Sequence, residues 1–187
     1  MDEALVNREA PPPLEEVFHV LNRAWGAQGW WPARTDLEMI VGAVLTQNAA
    51  WTNVEKALDR LEKAGALDLE TLHGAPLDRL AEWIRPAGYF NLKARRLRAF
   101  TTMVYSAYGG SLDSLLAEPS PGLREVLLDV NGIGPETADS ILLYAAGHPW
   151  FVVDAYTRRV LSRHGWMDPS ASYGEVAALF TRAMPPD

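Results

Sequence analysis

The stretch "VNGIGPETADSILLYAAGHPWFVVDAYTRRV", Val130 to Val160, gathers residue types that can do chemistry on an anion. Gly132 and Gly134 stand one residue apart and open a segment that begins at Pro135. Glycine adopts turn conformations that side chains resist, and its missing Cβ lets another molecule approach the backbone. Proline suits the first helical position, where its absent N–H costs nothing. The free N–H groups after Gly132 and at the start of the next helix then face one way. With the helix dipole they form an anion site. Ile133 between the glycines pins the turn to the core. Downstream, Asp154 follows the apolar Phe151–Val153 and precedes Arg158, Arg159 and Arg163. The helix after the turn, read as Glu136 to Ala146, is about three turns long. A return connector would bring Asp154 back within reach of a nucleotide whose phosphate the turn holds. Plainer roles exist for both features. The turn alone is an αα-hairpin, and Asp154 alone is an N-cap that stabilises by ~0.5–2 kcal/mol.

Two aromatic segments add a second chemistry. Trp30 and Trp31 are adjacent and followed by Pro32, and Trp51 comes shortly after "LTQN". Core packing is the ordinary role of such tryptophans. Adjacent residues of a regular helix diverge by about 100°, however, so both indoles of that pair cannot face one core. At least one of them lines something else.

The elements that must position these groups are helical almost throughout. "PLEEVFHVLNRAWG" puts Val17, Val20, Leu21 and Trp25 on one stripe after a rigid Pro11–Pro13 entry. "TDLEMIVGAVLTQ", with Thr35 or Asp36 as N-cap, is apolar nearly all round and reads as a buried helix. "WTNVEKALDRLEKAG" places Val54, Leu58 and Leu61 on one face and stops at Gly65. "PLDRLAEWIRPAG" is short and ends at Pro86 and Gly88. A long amphipathic helix runs from about Asn91 to Tyr108. Helices around "PGLREVLLDV", "PETADSILLYAAG", "DAYTRRVLSRHG" and Tyr173 to Ala183 complete an all-α reading of about ten helices. "WFVVD" has no partner run and reads as a buried connector.

Bulk composition bounds the function. The 187 residues, 48% hydrophobic and 22% charged, suit one compact domain or two small lobes. No run reaches the ~18 apolar residues of a membrane span, and "MDEALVNREAPPP" has no signal-peptide h-region. The expectation is a cytoplasmic protein with no membrane partner. The chain has no cysteine, which excludes disulfides, thiolate catalysis and cysteine-held iron–sulfur clusters. The net charge of -7 runs against a polyanion binder. Base is nevertheless concentrated locally, in "NLKARRLRAF" (Lys93, Arg95, Arg96, Arg98) and in "DAYTRRVLSRHG". A basic face can bind phosphate while the far side stays acidic.

The pattern of Val130, Gly132, Ile133, Gly134, Thr137 and Ala138 resembles the helix-hairpin-helix, which grips the DNA backbone without reading sequence. Together with the connector and "VVDAYTRR", it resembles the helix-hairpin-helix (HhH-GPD) DNA glycosylases, the endonuclease III-like superfamily, over roughly residues 15 to 180. "WWP", "LTQN" with Trp51, "GIGPETADSILLYA" and "FVVDAYTRR" are similar to its 3-methyladenine DNA glycosylase branch. The resemblance implies an all-α fold of two helical lobes with a cleft between them. It places a central helical domain at 36–148, with the hairpin at about 121–146, and a second lobe from 1–35 plus 149–187. The family's chain continues beyond the last helix seen here, so this one reads as shortened or as a member with a more open pocket.

The resemblance also implies roles. Asp154 takes the position of the catalytic aspartate, which stabilises positive charge on the deoxyribose of a flipped nucleotide. Trp31 or Trp30 and Trp51 sandwich the base, with Pro32 in the pocket wall. Glu136 stands in the pocket where bifunctional members carry a lysine, and a carboxylate cannot form a Schiff base. Gln47, in "LTQN" beside Asn48, matches a residue wedged into the gap left by the base, and Tyr89 matches a second inserted residue. Lys93, Gly132, Ile133, Gly134 and Thr137 join these in binding DNA. The implied function is a monofunctional glycosylase of base excision repair that releases N-alkylated purines such as 3-methyladenine. The alternatives are a glycosylase/lyase for oxidised pyrimidines and a non-catalytic DNA-binding module. The expected partner is duplex DNA with damaged bases, bound by a monomer in a prokaryotic, nucleoid-associated setting. Acidity predicts weak, salt-sensitive binding. No cofactor, iron–sulfur cluster or side-chain metal site is expected; the hairpin's backbone carbonyls leave room for a monovalent cation.

Overall fold

A computed structural model describes residues 13–184. Of the expected Pro11–Pro13 entry only Pro13 falls within them, and the chain end after Met184 also lies outside the described residues. The protein is all-α: among the described residues there are eleven α-helices and one 3-10 turn, and no strand. "WFVVD" is irregular, as its lack of a partner implied. The chain separates into one unit over Trp30–Trp150 and another built from the flanking segments, up to Gly29 and from Phe151.

The Trp30–Trp150 unit is organised by helix α2 (Asp36–Thr46). Thr35 caps it by accepting the Glu38 N–H at 3.1 Å. Every residue from Leu37 to Leu45 is buried, which is why its apolar residues run all round. One side of α2 (Leu37, Val41, Val44, Leu45) packs on α3 (Trp51–Lys63) and α5 (Leu77–Trp83). The other side (Met39, Ile40, Ala43) packs on α8 (Ser120–Leu128) and α9 (Pro135–Tyr144). Helix α6 (Phe90–Tyr108) likewise serves both clusters, through Ala94 and Leu97 on one side and Phe100 and Val104 on the other. The 3-10 turn Arg85–Ala87 sits where Pro86 prevents α5 from continuing. Two short helices have no long apolar period to reveal them, α4 (Leu69–Gly74) and α7 (Leu112–Leu116). Each is started by a side-chain cap, Asp68 to the Thr71 N–H and Ser111 to the Ser114 N–H.

Helices α8 and α9 form the hairpin. Arg124 on α8 donates from Nε to Oδ1 of Asp139 on α9 at 2.7 Å, and Asp139 is fully buried. The Arg124 guanidinium also lies 5.5 Å from the centre of the Trp150 ring.

The flanking unit contains α1 (Leu14–Trp25), α10 (Ala155–Arg163) and α11 (Tyr173–Ala183) around Leu14, Val153, Leu161 and Val176. Ser172 and Glu175 form a reciprocal capping box at the start of α11. The expected stripe on α1 exists, but past Leu14 it is open: Val20, Leu21 and Trp25 are all exposed.

Candidate functional site

The two-glycine turn forms where expected, and its two glycines differ in role. Gly132 has φ +91°, a conformation that side chains rarely adopt, and a Cβ there would collide with the stem of Arg96. Gly134 has φ -95°, which any residue can adopt, so the expectation that both glycines are needed for turn conformations is corrected. Gly134 has nothing within 4 Å of where a Cβ would stand, and its missing side chain leaves open approach to the backbone. It is the N-cap of α9 and supplies no side-chain cap. The first N–H groups of a helix have no intrahelical acceptor, which is the feature that makes a helix start able to meet an anion. Ile133 is buried in the core and anchors the turn, with its N–H bonded to the Val130 carbonyl at 3.0 Å.

The α2–α3 loop lies against this turn. Gln47 is the C-cap residue of α2, but its side chain does not cap that helix. Nε2 donates to the Gly132 carbonyl at 3.0 Å and to Thr137 Oγ1 at 2.9 Å, and Oε1 accepts from an Arg96 guanidinium N–H. Gln47 is therefore engaged within the protein and is not a free side chain at the loop tip. The exposed residue there is Asn48, held at φ +52°. Tyr89 is 69% exposed at φ +44°, just before α6. Left-handed backbone at a bulky residue costs roughly 1–2 kcal/mol. Its exposed ring recovers little of that by packing.

Lys93 requires a correction. It was expected on a basic face, yet it is 1% exposed. Its ammonium donates to the Leu45 carbonyl at 2.8 Å and the Ala87 carbonyl at 2.7 Å. A cation placed on carbonyls at a helix C-terminus is favourable there, and it cannot reach a phosphate from that position. Burial, reinforced by the Arg96 charge, pulls its pKa down to about 8 from 10.5. Arg98 is also turned inward, to the Ala75 carbonyl, which leaves Arg95 as the plainly exposed base of this segment.

The tryptophans form one cluster. Trp30 and Trp31 have ring centres 5.3 Å apart, and both reach Trp51, at 5.3 and 5.5 Å. The Trp30–Trp31 peptide bond is cis. Trp31 is half-buried over Gly42, where a Cβ would come within 3.3 Å of its Nε1. Trp30 is 51% exposed while Trp31 and Trp51 are half-buried. The three rings lie against one another at tilted and edge angles, so the expected sandwich is corrected: no gap for a base stands open between any two of them. Pro32 is exposed beside it. Tyr144 at the end of α9, unforeseen from sequence, lies 5.6 Å from the Trp31 ring. Its position eight residues after Glu136, about two turns along α9, was the available signal. Glu136 is exposed in the first turn of α9.

Asp154, in the flanking unit, is the N-cap of α10. Oδ1 accepts from the Thr157 N–H at 2.7 Å and from the Thr157 hydroxyl at 2.8 Å. Oδ2 has no hydrogen bond among the described residues, and the residue is partly exposed. The cap thus orients the carboxylate and leaves one oxygen for other work.

No group of three or more His, Cys, Asp or Glu capable of holding a metal occurs among the described residues. The carbonyls of Gly132 and Val130 already accept hydrogen bonds from Gln47 and Ile133. They offer a monovalent cation only their second lone pairs.

The family model described as "HhH-GPD superfamily base excision DNA repair protein" matches residues 41–186. A candidate DNA repair glycosylase of Methanocaldococcus jannaschii, MJ1434, is 43% identical over 175 residues, covering 93% of this chain and 80% of that one. The crystal structure of the H. pylori 3-methyladenine DNA glycosylase MagIII bound to 1,N6-ethenoadenine superposes with a TM-score of 0.79. It is 31% identical and covers 91% of this chain and 79% of its own. A trapped endonuclease III–DNA covalent intermediate, at 23% identity and the same TM-score of 0.79, covers 94% of this chain and 80% of its own and shares the fold. The turn, its anchored α9 and the family match over most of the chain lead to one conclusion: this protein belongs to the HhH-GPD superfamily of base excision DNA repair proteins and is a DNA N-glycosylase.

Proposed function

We propose that this glycosylase is monofunctional and releases N-alkylated purines, 3-methyladenine among them, from duplex DNA. The observation that carries the reading is the cluster of Trp30, Trp31 and Trp51, from which the Trp30 indole is exposed. Indole faces attract a cation by ~0.5–2 kcal/mol, and a 3-alkylated adenine is cationic where an undamaged purine is neutral. Such a base is already a good leaving group and needs little help from a general acid. The ligand-bound relative, a 3-methyladenine glycosylase holding an ethenoadenine, supports the same substrate class.

In this mechanism the first-turn N–H groups after Gly134 hold a phosphate, and Asn48 and Tyr89 enter the stack from which the base is extruded. The exposed positions of Asn48 and Tyr89 support that assignment, in which Asn48 replaces Gln47 as the intruding residue of the loop. As the N-glycosidic bond lengthens, its electron pair passes to the purine nitrogen and neutralises the base. Asp154 Oδ2 stabilises the positive charge developing on the sugar. Water adds to the anomeric carbon and loses its proton, leaving an abasic site. The hairpin carries no lysine: Glu136 occupies the position where a lyase has one, and Lys93 is buried in two carbonyl contacts.

The test is a panel of duplexes, each with one lesion, assayed for base release, for strand breaks before and after hot alkali, and for trapping by borohydride. The expected pattern is release of alkylated purines, breaks only after alkali, and no trapped complex. Breaks without alkali together with a borohydride-trapped complex would overturn the monofunctional reading. Release confined to oxidised pyrimidines would overturn the substrate class.

A further inference from the structure

Three separate pieces of the Trp30–Trp150 unit meet on the amide of Gln47: the α2–α3 loop that carries it, the hairpin turn and helix α6. A backbone carbonyl only accepts and a guanidinium only donates. With Gly132 on one side and Arg96 on the other, the Gln47 amide has a single permitted orientation. The peptide linking Gly132 to Ile133 is held at both ends, its carbonyl by Gln47 and its N–H by the Val130 carbonyl. Gln47 also donates to Thr137 Oγ1, so the turn from Gly132 to Thr137 is bracketed at both of its limits. The stem of Arg96 fills the space beside Gly132 where a side chain would begin. Arg96 Nε meanwhile stays buried without a hydrogen-bond partner, an unfavourable state that packing alone gives no reason to keep.

We propose that Gln47 and Arg96 are positioning residues for the DNA grip. They hold a glycine turn, otherwise the most pliable backbone available, in the one shape that aims its N–H groups at a phosphate. They also couple that turn to the loop bearing Asn48, so that gripping the backbone and entering the stack are acts of one rigid piece. Gln47 acts through the turn and not by filling the gap itself. The proposal rests on the DNA glycosylase reading but not on the choice of lesion.

The experiment compares the wild-type chain with Gln47→Ala, Gln47→Glu, Arg96→Ala and the Gln47→Ala/Arg96→Ala double variant. Three readouts are taken: Kd for a duplex with an uncleavable abasic analogue, KM and kcat for base release, and thermal unfolding. Each single substitution to alanine is expected to raise Kd and KM about tenfold, with a smaller change in kcat. The double variant is expected to match the weaker single, because both remove one shared device. Gln47→Glu keeps the shape and the Arg96 contact but sets an oxygen against the Gly132 carbonyl, so it should bind as poorly as Gln47→Ala. Wild-type binding by any single alanine variant, losses that multiply to about a hundredfold in the double, or an unaffected Gln47→Glu would each overturn the proposal. A fall in melting temperature with unchanged Kd would do so too. If the wild-type chain binds duplex and the variants behave as expected while no alkylated purine is released, the substrate reading fails and this one stands. If the wild type binds no duplex, both fall.

Discussion

Asp154→Asn separates the two jobs of that residue, because they use different oxygens. In the cap, Oδ1 accepts two hydrogen bonds from Thr157, at 2.7 and 2.8 Å. The carbonyl oxygen of asparagine can accept both, and asparagine ranks with aspartate as an N-cap. What is lost is the negative charge at the helix N-terminus, about 0.3–1 kcal/mol, which shifts the melting temperature by at most ~2–4 °C in a chain of this size. At Oδ2 the change is of another order. An amide N–H2, a donor, replaces an oxygen meant to face a developing cation. Removing one preorganised electrostatic group of that kind costs about 10²–10³ in rate, ~3–4 kcal/mol. The assay is single-turnover release of an alkylated purine from duplex, read as alkali-labile breaks, beside an anisotropy measurement of Kd. The expected result is a rate lowered at least a hundredfold with Kd unchanged within about twofold. Asp154→Ala should lose the same activity and a further ~1 kcal/mol of stability, the cap itself. Release by Asp154→Asn within tenfold of wild type would refute the reasoning and leave Asp154 as a cap only.

Two further substitutions test the scaffold under the site. The folded-state pKa of Lys93 is depressed, to about 8, so between pH 8 and 10.5 the unfolded chain binds more protons than the folded one. Its contribution to stability therefore rises with pH across that window, by up to ~3 kcal/mol, as the buried amine sheds its charge in the folded state. The stability of wild type minus that of Lys93→Met, followed by denaturant unfolding from pH 7.5 to 10.5, should climb with pH; a flat difference would refute the assignment. Arg124→Ala leaves the fully buried Asp139 carboxylate without its ion-pair partner, a loss of about 3–5 kcal/mol that should lower the melting temperature by roughly 10 °C. A shift under 2 °C would show that the pair does not hold the hairpin helices together.

Much of the site was legible because its signals are local. A glycine turn before a proline, an acid after an apolar run, and a helix apolar all round each state their own geometry within a few residues, and α2, α9 and α10 form accordingly. The failures have a shared cause. Lys93 reads as a surface base because charge is ordinarily solvated, and nothing near it in sequence announces carbonyls supplied by Leu45 and Ala87. Gln47 reads as a loop-tip side chain because its partners, Gly132 and Thr137, are 85 and 90 residues away. Helices α4 and α7 are too short for a period, and only their Asp68 and Ser111 caps mark them.

The amino-acid sequence by itself determined the class of fold, the two-glycine turn, the absence of cysteine chemistry and the carboxylate where a lyase would need an amine. Those follow from residue type and short-range spacing, which act before the chain has folded. Tertiary structure alone decided which polar side chains face outward and which are spent inside. It gathered Trp30, Trp31, Trp51 and Tyr144 from three distant segments, turned Lys93 inward, and set Arg96 and Gln47 against the hairpin. A buried polar group must find its hydrogen bonds wherever packing brings them, and that choice belongs to the folded chain as a whole.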